Sequence, residues 1–245
     1  MKLCDFKGLS FLCLCTCLLG NTVVNAATVS DNDIGNSRFT LSDEFTWLRN
    51  RDVKGIETAR IRSEQYLISA RYRIGDRTTL FGKAGMANME LHRFEGETHS
   101  FSERLAYGAG MNYRIISSPL NRVEIACQYL AFEPGSGKLT GAAAMPEHQT
   151  PHEVEIDWTE WLASLKIARK LQHFTVYGGP KYSHVKCNQE RIWASGKTEE
   201  ETFKSEKDFG LFAGISTDIN PGLSCYLEVR FIDETAYTLG FGYHF

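Results

Sequence analysis

Charged side chains are the residues of this sequence that could do chemistry, and they recur at every second position within apolar segments. In residues 223–231, for example, Glu228 and Arg230 alternate with apolar residues. Alternate side chains of a strand share one face, so such segments predict strands with one charged and one apolar face. Because ions in a low-dielectric environment must pair or lose much of their hydration energy, we expect these charges to form a network. The residues assigned to the charged face are Glu44, Arg71, Lys83, Arg104, Arg114, Glu124, Glu160, Lys166, Lys181, Asp208, Glu228 and Arg230.

A second set of residues could support hydrolysis near the strand ends. A general base and its partner must lie within hydrogen-bond reach of each other. The neighbours Ser183 and His184 must point to opposite faces of a strand, so they are not expected to act together. No recognised catalytic motif is present, and we favour a non-enzymatic protein with no assigned catalytic residue, keeping a hydrolase as an alternative. Candidates for that alternative are His152, Glu155, Asp157, Ser183, His184 and Asp208.

Period-two alternation from residue 38 onward indicates an all-β chain. The pattern is cleanest over residues 104–116, 223–231 and 237–245. These segments and the weaker ones predict ten strands, with eight as the alternative because 38–51 and 174–188 are the least certain. The weaker strands are predicted at 38–51, 60–74, 78–92, 122–133, 153–168, 174–188 and 207–217.

The connections between the predicted strands alternate in length. Those after the even-numbered strands are short, whereas four after odd-numbered strands are longer, at 52–59, 93–103, 134–152 and 189–206. Short turns at one end and long loops at the other are typical of bacterial outer-membrane barrels, whose short turns face the periplasm. The sequence therefore predicts a closed antiparallel transmembrane β-barrel with a polar lumen. A soluble lipocalin-like barrel, with its apolar face inside, is the alternative.

Aromatic residues near the strand ends predict two belts at the membrane interfaces, where a ring can contact both hydrocarbon and head groups. One belt is expected near each rim of the barrel. The first group is Tyr72, Tyr113, Phe174, Tyr237 and Tyr243, and the second is Trp47, Tyr129 and Trp161.

The N-terminus has the pattern of a cleavable export signal. Two lysines, Lys2 and Lys7, precede an apolar core at residues 9–19. This core is too short to cross a bilayer as a helix. The small residues that follow predict cleavage after Ala26, with Ala27 as the second choice. The predicted segments are a signal peptide over 1–26, a periplasmic lead-in over 27–37 and an outer-membrane barrel over 38–245.

Composition excludes several classes of site. The formal net charge of −3 gives no basic surface of the kind that binds nucleic acid. After cleavage, Cys127, Cys187 and Cys225 would remain, and their odd number and spacing indicate neither a disulfide framework nor a metal site. We expect no metal and no cofactor.

The last nine residues, YTLGFGYHF, resemble the C-terminal signature of bacterial outer-membrane proteins. In that family the signature is read by the barrel-assembly machinery, which the resemblance therefore implies as a partner. The segments RLAYGAGMNYRII and KDFGLFAGIST are similar to strands of small barrels of the OmpA and OmpX kind, which have eight strands, but they identify no subfamily. The recognition residues implied by the resemblance are Tyr237, Leu239, Phe241, Tyr243 and Phe245.

The expected function lies in surface loops of a barrel embedded in outer-membrane lipid. Loops 134–152 and 189–206 are long enough to bind an extracellular ligand, for adhesion, partner binding or envelope integrity. A narrow porin-like channel is the alternative, although the lumen of a barrel of this size is usually filled by side chains.

Overall fold

The computed structural model describes residues 38–93, 98–132, 137–140, 153–193 and 197–245. The predicted signal peptide and lead-in lie outside these residues. Within them, no helix is long and apolar enough to cross a membrane.

Antiparallel strands make up most of the described chain. They are β1 (Phe39–Lys54), β2 (Thr58–Ile74), β3 (Thr78–Arg93), β4 (Thr98–Ser117), β5 (Asn121–Phe132), β6 (Gly137–Thr140), β7 (Glu153–Lys170), β8 (Thr175–Ile192), β9 (Thr198–Ser205), β10 (Phe209–Asn220), β11 (Leu223–Phe231) and β12 (Glu234–His244).

Ten of these strands close into one ring. Its order is β1-β2-β3-β4-β5-β7-β8-β10-β11-β12, and β12 pairs back to β1. Each predicted strand corresponds to one strand of the ring, so the closed antiparallel barrel and its ten strands are confirmed. The short strands β6 and β9 were not predicted. They lie within the segments 134–152 and 189–206, which were expected to be loops.

The two faces of the strands differ in polarity, as the alternation predicts. On β12, Tyr237 and Leu239 are exposed on the outer surface, whereas Thr238 between them is buried and points inward. The other strands of the ring also expose large apolar side chains, such as Leu105 and Ile167, to the outside. An apolar exterior of this extent is typical of a surface that contacts lipid rather than water.

Aromatic side chains form two belts around this exterior. At the end that carries the long connections, the loop end, three ring pairs lie side by side, with centroids 4.8–6.2 Å apart. At the opposite end, the turn end, the rings of Phe39 and Phe245 are 6.0 Å apart. The prediction for Tyr237 was wrong: it lies near the start of β12 and pairs in register with Trp47, which places it in the loop-end belt. The loop-end pairs are Trp47–Tyr237, Tyr129–Trp161 and Tyr182–Phe209.

Beyond the loop-end belt the strands continue and enclose an apolar core. β9 pairs with β8 and its last residues pair with β1, so it bridges these two strands beyond the ends of β10, β11 and β12. The rings of Phe132 and Trp158 stack inside this section, with centroids 5.3 Å apart. We call this core the apolar plug; its members, all 4% exposed or less, include Val53, Ile61, Met89, Leu91, Phe101, Phe132, Ile156, Trp158, Val185 and Phe203.

Candidate functional site

A layer of buried ions lies directly beneath the apolar plug. Arg51, only 1% exposed, donates from Nη1 to Oε1 of Glu160 and to Oε2 of Glu234, both at 2.9 Å. Its Nη2 donates to the backbone oxygen of Ser183 at 2.7 Å and to its Oγ at 3.0 Å. One guanidinium therefore ties β1 to β7, β8 and β12 across the interior of the barrel.

Lys181 and Arg230 complete the layer from the other side. Nζ of Lys181 lies 2.6 Å from Oε1 of Glu234 and 2.7 Å from Oδ2 of Asp233. Nη1 of Arg230 lies 3.1 Å from Oε1 of Glu234. Charge-assisted contacts of this length are strong, and buried ions need them to offset lost hydration. The ion-pair layer comprises Arg51, Glu160, Lys181, Arg230, Asp233 and Glu234.

Two local irregularities bring these side chains together. The register of β1 shifts between Leu48 and Arg51. Regular alternation would point Arg51 outward, and the shift turns it inward. The tight turn between β11 and β12 holds Ile232 at a φ of 87°, and the two carboxylates, Asp233 and Glu234, follow it directly.

Glu234 lies on the loop side of the loop-end belt. Burial opposes its ionisation, but the charges of Arg230, Arg51 and Lys181 outweigh burial and hold its pKa well below its usual range.

Below the ion-pair layer, a cavity of about 410 Å³ extends to the turn end of the barrel. Glu160, Lys181 and Arg230 line its inner end, and Arg38 and Arg122, both exposed, line its turn end. Of the twelve residues assigned to the charged face, the structure places ten along this cavity. They are Glu44, Arg71, Lys83, Arg114, Glu124, Glu160, Lys166, Lys181, Glu228 and Arg230.

Ion pairs run along the wall of the cavity. Glu44 accepts from Arg71 at 3.0 Å and from Lys83 at 2.7 Å. Glu124 lies 3.6 Å from Nε of Arg114 and 3.8 Å from Nε of Arg122. Each of these carboxylates therefore pairs with two cations.

Arg104 and Asp208 do not line the cavity, and their assignment to the charged face was wrong. β4 carries an extra residue opposite Asn88, because Arg104 pairs with Ala87 while Phe101 pairs with Met89. Arg104 is exposed at this irregularity. Asp208 precedes β10 instead of lying on it.

Several ionic residues of the interior were missed by the sequence reasoning. Arg73 and Arg122 share a face with Arg71 and Glu124 two positions away, so the period-two pattern could have identified them. Arg51 and the carboxylates of 233–234 had no such signal, since a register shift and a tight turn set their direction.

The candidate hydrolase residues do not assemble into a catalytic triad. Nδ1 of His184 lies 3.2 Å from Oδ1 of Asp208 and 3.5 Å from Oγ of Ser205, and Ser205 also donates to Asp208. In a working triad the carboxylate holds one ring nitrogen and the serine faces the other. Here both partners face the same nitrogen. Ser183 points into the barrel and His184 points outward, as their adjacency predicted.

The remaining predicted residues divide between the exterior and the undescribed chain. Glu155 and Asp157 are exposed on β7, and His152 lies outside the described residues. Tyr237 and Leu239 are exposed on the outer face of β12, and Phe245 is 72% exposed. The described chain holds no group of three or more His, Cys, Asp or Glu side chains that could bind a metal ion.

Comparison with known proteins supports the fold alone. No protein-family model and no curated protein sequence matches the chain. The translocator domain of the autotransporter NalP from Neisseria meningitidis is similar, with a TM-score of 0.51 and 12% identity over 97% of this chain and 96% of that one. The beta domain of the Bordetella autotransporter Brka (TM-score 0.49, 10% identity, 85% of this chain and 100% of that one) and OprG from Pseudomonas aeruginosa (TM-score 0.47, 12% identity, 85% and 96%) also resemble it. The chain therefore has the fold of bacterial outer-membrane β-barrels, and no subfamily follows.

Proposed function

We propose that this chain is an integral outer-membrane protein whose barrel does not conduct and whose working surface is the loop end. The observation that carries the proposal is the apolar plug with the ion-pair layer beneath it. Together they fill the interior at the loop end with side chains that are almost completely buried, such as Trp158 at 1% and Arg51 at 1% exposure. The turn end would face the periplasm, as short turns do in barrels of this fold.

A path for solutes through this interior would require breaking the ion-pair layer. Separating one partner from a buried ion pair leaves an uncompensated charge, which costs about 3–5 kcal/mol. The plug would then have to expose apolar surface to the permeating water. Both costs oppose a porin-like channel, which is the alternative function.

The described part of the loop end is also cross-linked by side-chain contacts. Nη2 of Arg93 lies 2.5 Å from Oε2 of Glu201 and 2.9 Å from Oε1 of Gln189, so β3 is tied to β8 and β9 across the interior. A preorganised surface loses less entropy on binding than mobile loops do. This supports binding of an extracellular partner.

A row of lysines on the outer face of the loop end indicates the chemistry of that partner. Lys204 pairs in register with Lys186 on one side and with Lys54 on the other, and all three are exposed. Like charges directly opposite each other on neighbouring strands are destabilising. A polyanionic ligand at the cell surface would attract all three ammonium groups and so offset their mutual repulsion.

Two measurements test the proposal. Purified protein in planar bilayers should give no stable conductance steps, and reproducible steps would favour the channel. Cells that display the protein should bind dextran sulfate but not neutral dextran. Replacing Lys54, Lys186 and Lys204 together with Gln should abolish that binding. The matched control replaces three other exposed cations, Arg62, Arg104 and Lys197, and equal loss in both variants would contradict a ligand site at the lysine row.

A further inference from the structure

The charges that line the cavity at the turn end do not balance. Nine lysine and arginine side chains line it against four glutamates. Adding the deeper members of the ion-pair layer, Arg51, Asp233 and Glu234, gives ten cations against six carboxylates. The cavity therefore carries a surplus of positive charge even when every carboxylate is ionised.

This surplus is concentrated toward the turn end. The carboxylates of the ion-pair layer face Arg51, Lys181 and Arg230 at close range, so the inner end is nearly neutral. At the turn end, four arginines line the cavity together with one lining carboxylate, Glu124, which lies near two of them. The four are Arg38, Arg73, Arg114 and Arg122. The charge of Asp76 in the adjacent turn also acts on one of the four, Arg73.

Lys166 adds a further cation between the turn end and the ion-pair layer. It pairs in register with Glu124 across β5 and β7, but Glu124 is turned toward the two arginines. Nζ of Lys166 instead lies over the ring of Tyr177, 3.9 Å from its centroid. A cation–π contact holds the ammonium group without neutralising its charge.

We propose that the cavity is a binding site for a small multivalent anion of the phosphate class, which enters and leaves through the turn end. A narrow cleft of one sign with walls of low dielectric constant focuses its field and concentrates counter-ions. Guanidinium groups match the geometry of phosphate oxygens with paired donors. The volume of about 410 Å³ lies within the range of small-molecule sites. The plug and the ion-pair layer close the other end, so the site is a blind pocket.

Calorimetric titration of the purified barrel in detergent tests the site directly, with inorganic pyrophosphate as the probe at constant ionic strength. We expect saturable binding with one site per chain. Arg73→Gln removes a donor at the turn end and should weaken binding about tenfold or more, since hydrogen bonds to charged groups are the strong ones. The control, Arg62→Gln, changes an exposed arginine on the outer face of the same strand and should leave binding unchanged. Absence of saturable heat, or equal weakening in both variants, would overturn the proposal.

A labelling measurement tests the field of the cavity in a folded protein. Ser164 lines the cavity and pairs in register with Lys181 on the neighbouring strand. It is replaced by Cys after Cys127 and Cys225 have been changed to Ala. A negatively charged methanethiosulfonate reagent should react with this thiol several times faster than a positively charged one, after correction for their rates with a free thiol. The same pair of reagents on Asn88→Cys, at the outer surface, should show no such preference. Equal rates in the cavity, or a preference for the cationic reagent, would refute a cationic site.

The same thiol distinguishes a soluble anion from a lipid head group. Pyrophosphate should slow labelling of the Ser164→Cys variant in proportion to its occupancy of the site. Vesicles of phosphatidylglycerol should have no effect. Protection by the vesicles without protection by pyrophosphate would show that the cavity accepts a head group, and the proposal of a soluble anion would then be wrong.

Discussion

Arg51 is the side chain on which the interior of the loop end depends most. It is 1% exposed and bonds to Glu160, Glu234 and Ser183, which belong to three other strands. Loss of its charge would remove one cation partner from each of two buried carboxylates, Glu160 and Glu234.

We therefore expect Arg51→Met to lower the free energy of unfolding by about 3–5 kcal/mol, the usual cost of removing one partner of a buried pair. Urea unfolding followed by tryptophan fluorescence measures this change. Arg60→Gln is the matched control, because Arg60 pairs with Asp52 in a bridge whose side chains are 43% and 37% exposed. Exposed pairs contribute about 1 kcal/mol or less. Equal effects of the two variants would show that the ion-pair layer adds no stability.

We expect His99 to make the loop end sensitive to acid. It is 1% exposed beside Phe101, and burial, with the nearby charge of Arg93, lowers its pKa to about 4. A histidine whose pKa is lowered in the folded state stabilises the protein fully above the unfolded value, near 6.5, and loses that stability as the pH falls toward 4.

From this shift we expect a loss of about 2 kcal/mol between pH 7 and pH 5. Urea midpoints at the two pH values measure it, with tryptophan fluorescence as the signal. His99→Leu should remove most of the difference, whereas His173→Gln, at an exposed position of the turn end, should keep it. An unchanged pH dependence in His99→Leu would assign the acid sensitivity to other groups.

Ile232 carries backbone strain at the turn between β11 and β12. Its φ of 87° is unfavourable for a β-branched residue, and its side chain is 59% exposed, so packing does not repay the cost. Ile232→Gly should therefore raise the free energy of unfolding by about 1 kcal/mol. The urea midpoint is again the measurement, and a variant less stable than the wild type would mean that the isoleucine side chain makes contacts that outweigh the strain.

At the scale of elements, the ring strands follow from the sequence and β9 does not. The alternation of apolar and polar residues predicts all ten ring strands, although it is weakest over 38–51 and 174–188. Residues 198–205, TEEETFKS, hold three adjacent glutamates and have low β propensity, which favoured a loop. Register with β8 and the ion pair between Glu201 and Arg93 provide the stabilisation that local sequence lacks.

The closing strand β12 gives a prediction about assembly. The backbone N–H of Phe245 donates to the oxygen of Phe39 at 3.0 Å, so it extends the seam where β12 meets β1. Deletion of Phe245 should reduce the amount of folded, membrane-inserted protein while leaving export intact, because the seam contact and the implied assembly signal are both lost.

Fractionation of cells that express the deletion variant measures this outcome. Phe209→Ala is the control: Phe209 is 73% exposed, similar to Phe245 at 72%, but it lies away from the seam. Normal levels of inserted protein in the deletion variant would contradict a special role for Phe245.

At the scale of the whole molecule, the polar interior could be predicted for only part of its length. Between the two belts the exterior faces an apolar medium, so apolar side chains point out and charged ones point in. Beyond the loop-end belt we infer that the exterior faces water, and the polarity reverses. On β8, inward Lys181 and Ser183 give way to inward Val185 and Cys187, while Lys186 points outward. Alternation alone does not show where a strand leaves the membrane, so the plug was not foreseen.

The closed ring predicts how the molecule behaves in detergent. Each ring strand pairs on both sides, so the barrel has no free edge at which sodium dodecyl sulfate could begin to separate strands. Unboiled protein from the outer-membrane fraction should therefore migrate differently on a gel from boiled protein, whose strands have separated. Arg51→Met should lose the folded band at a lower temperature than the wild type, because its ion-pair layer is broken. If unboiled and boiled samples migrate alike and the protein fractionates with the soluble periplasm, the membrane assignment is wrong and a soluble lipocalin-like binder becomes the better interpretation of the barrel.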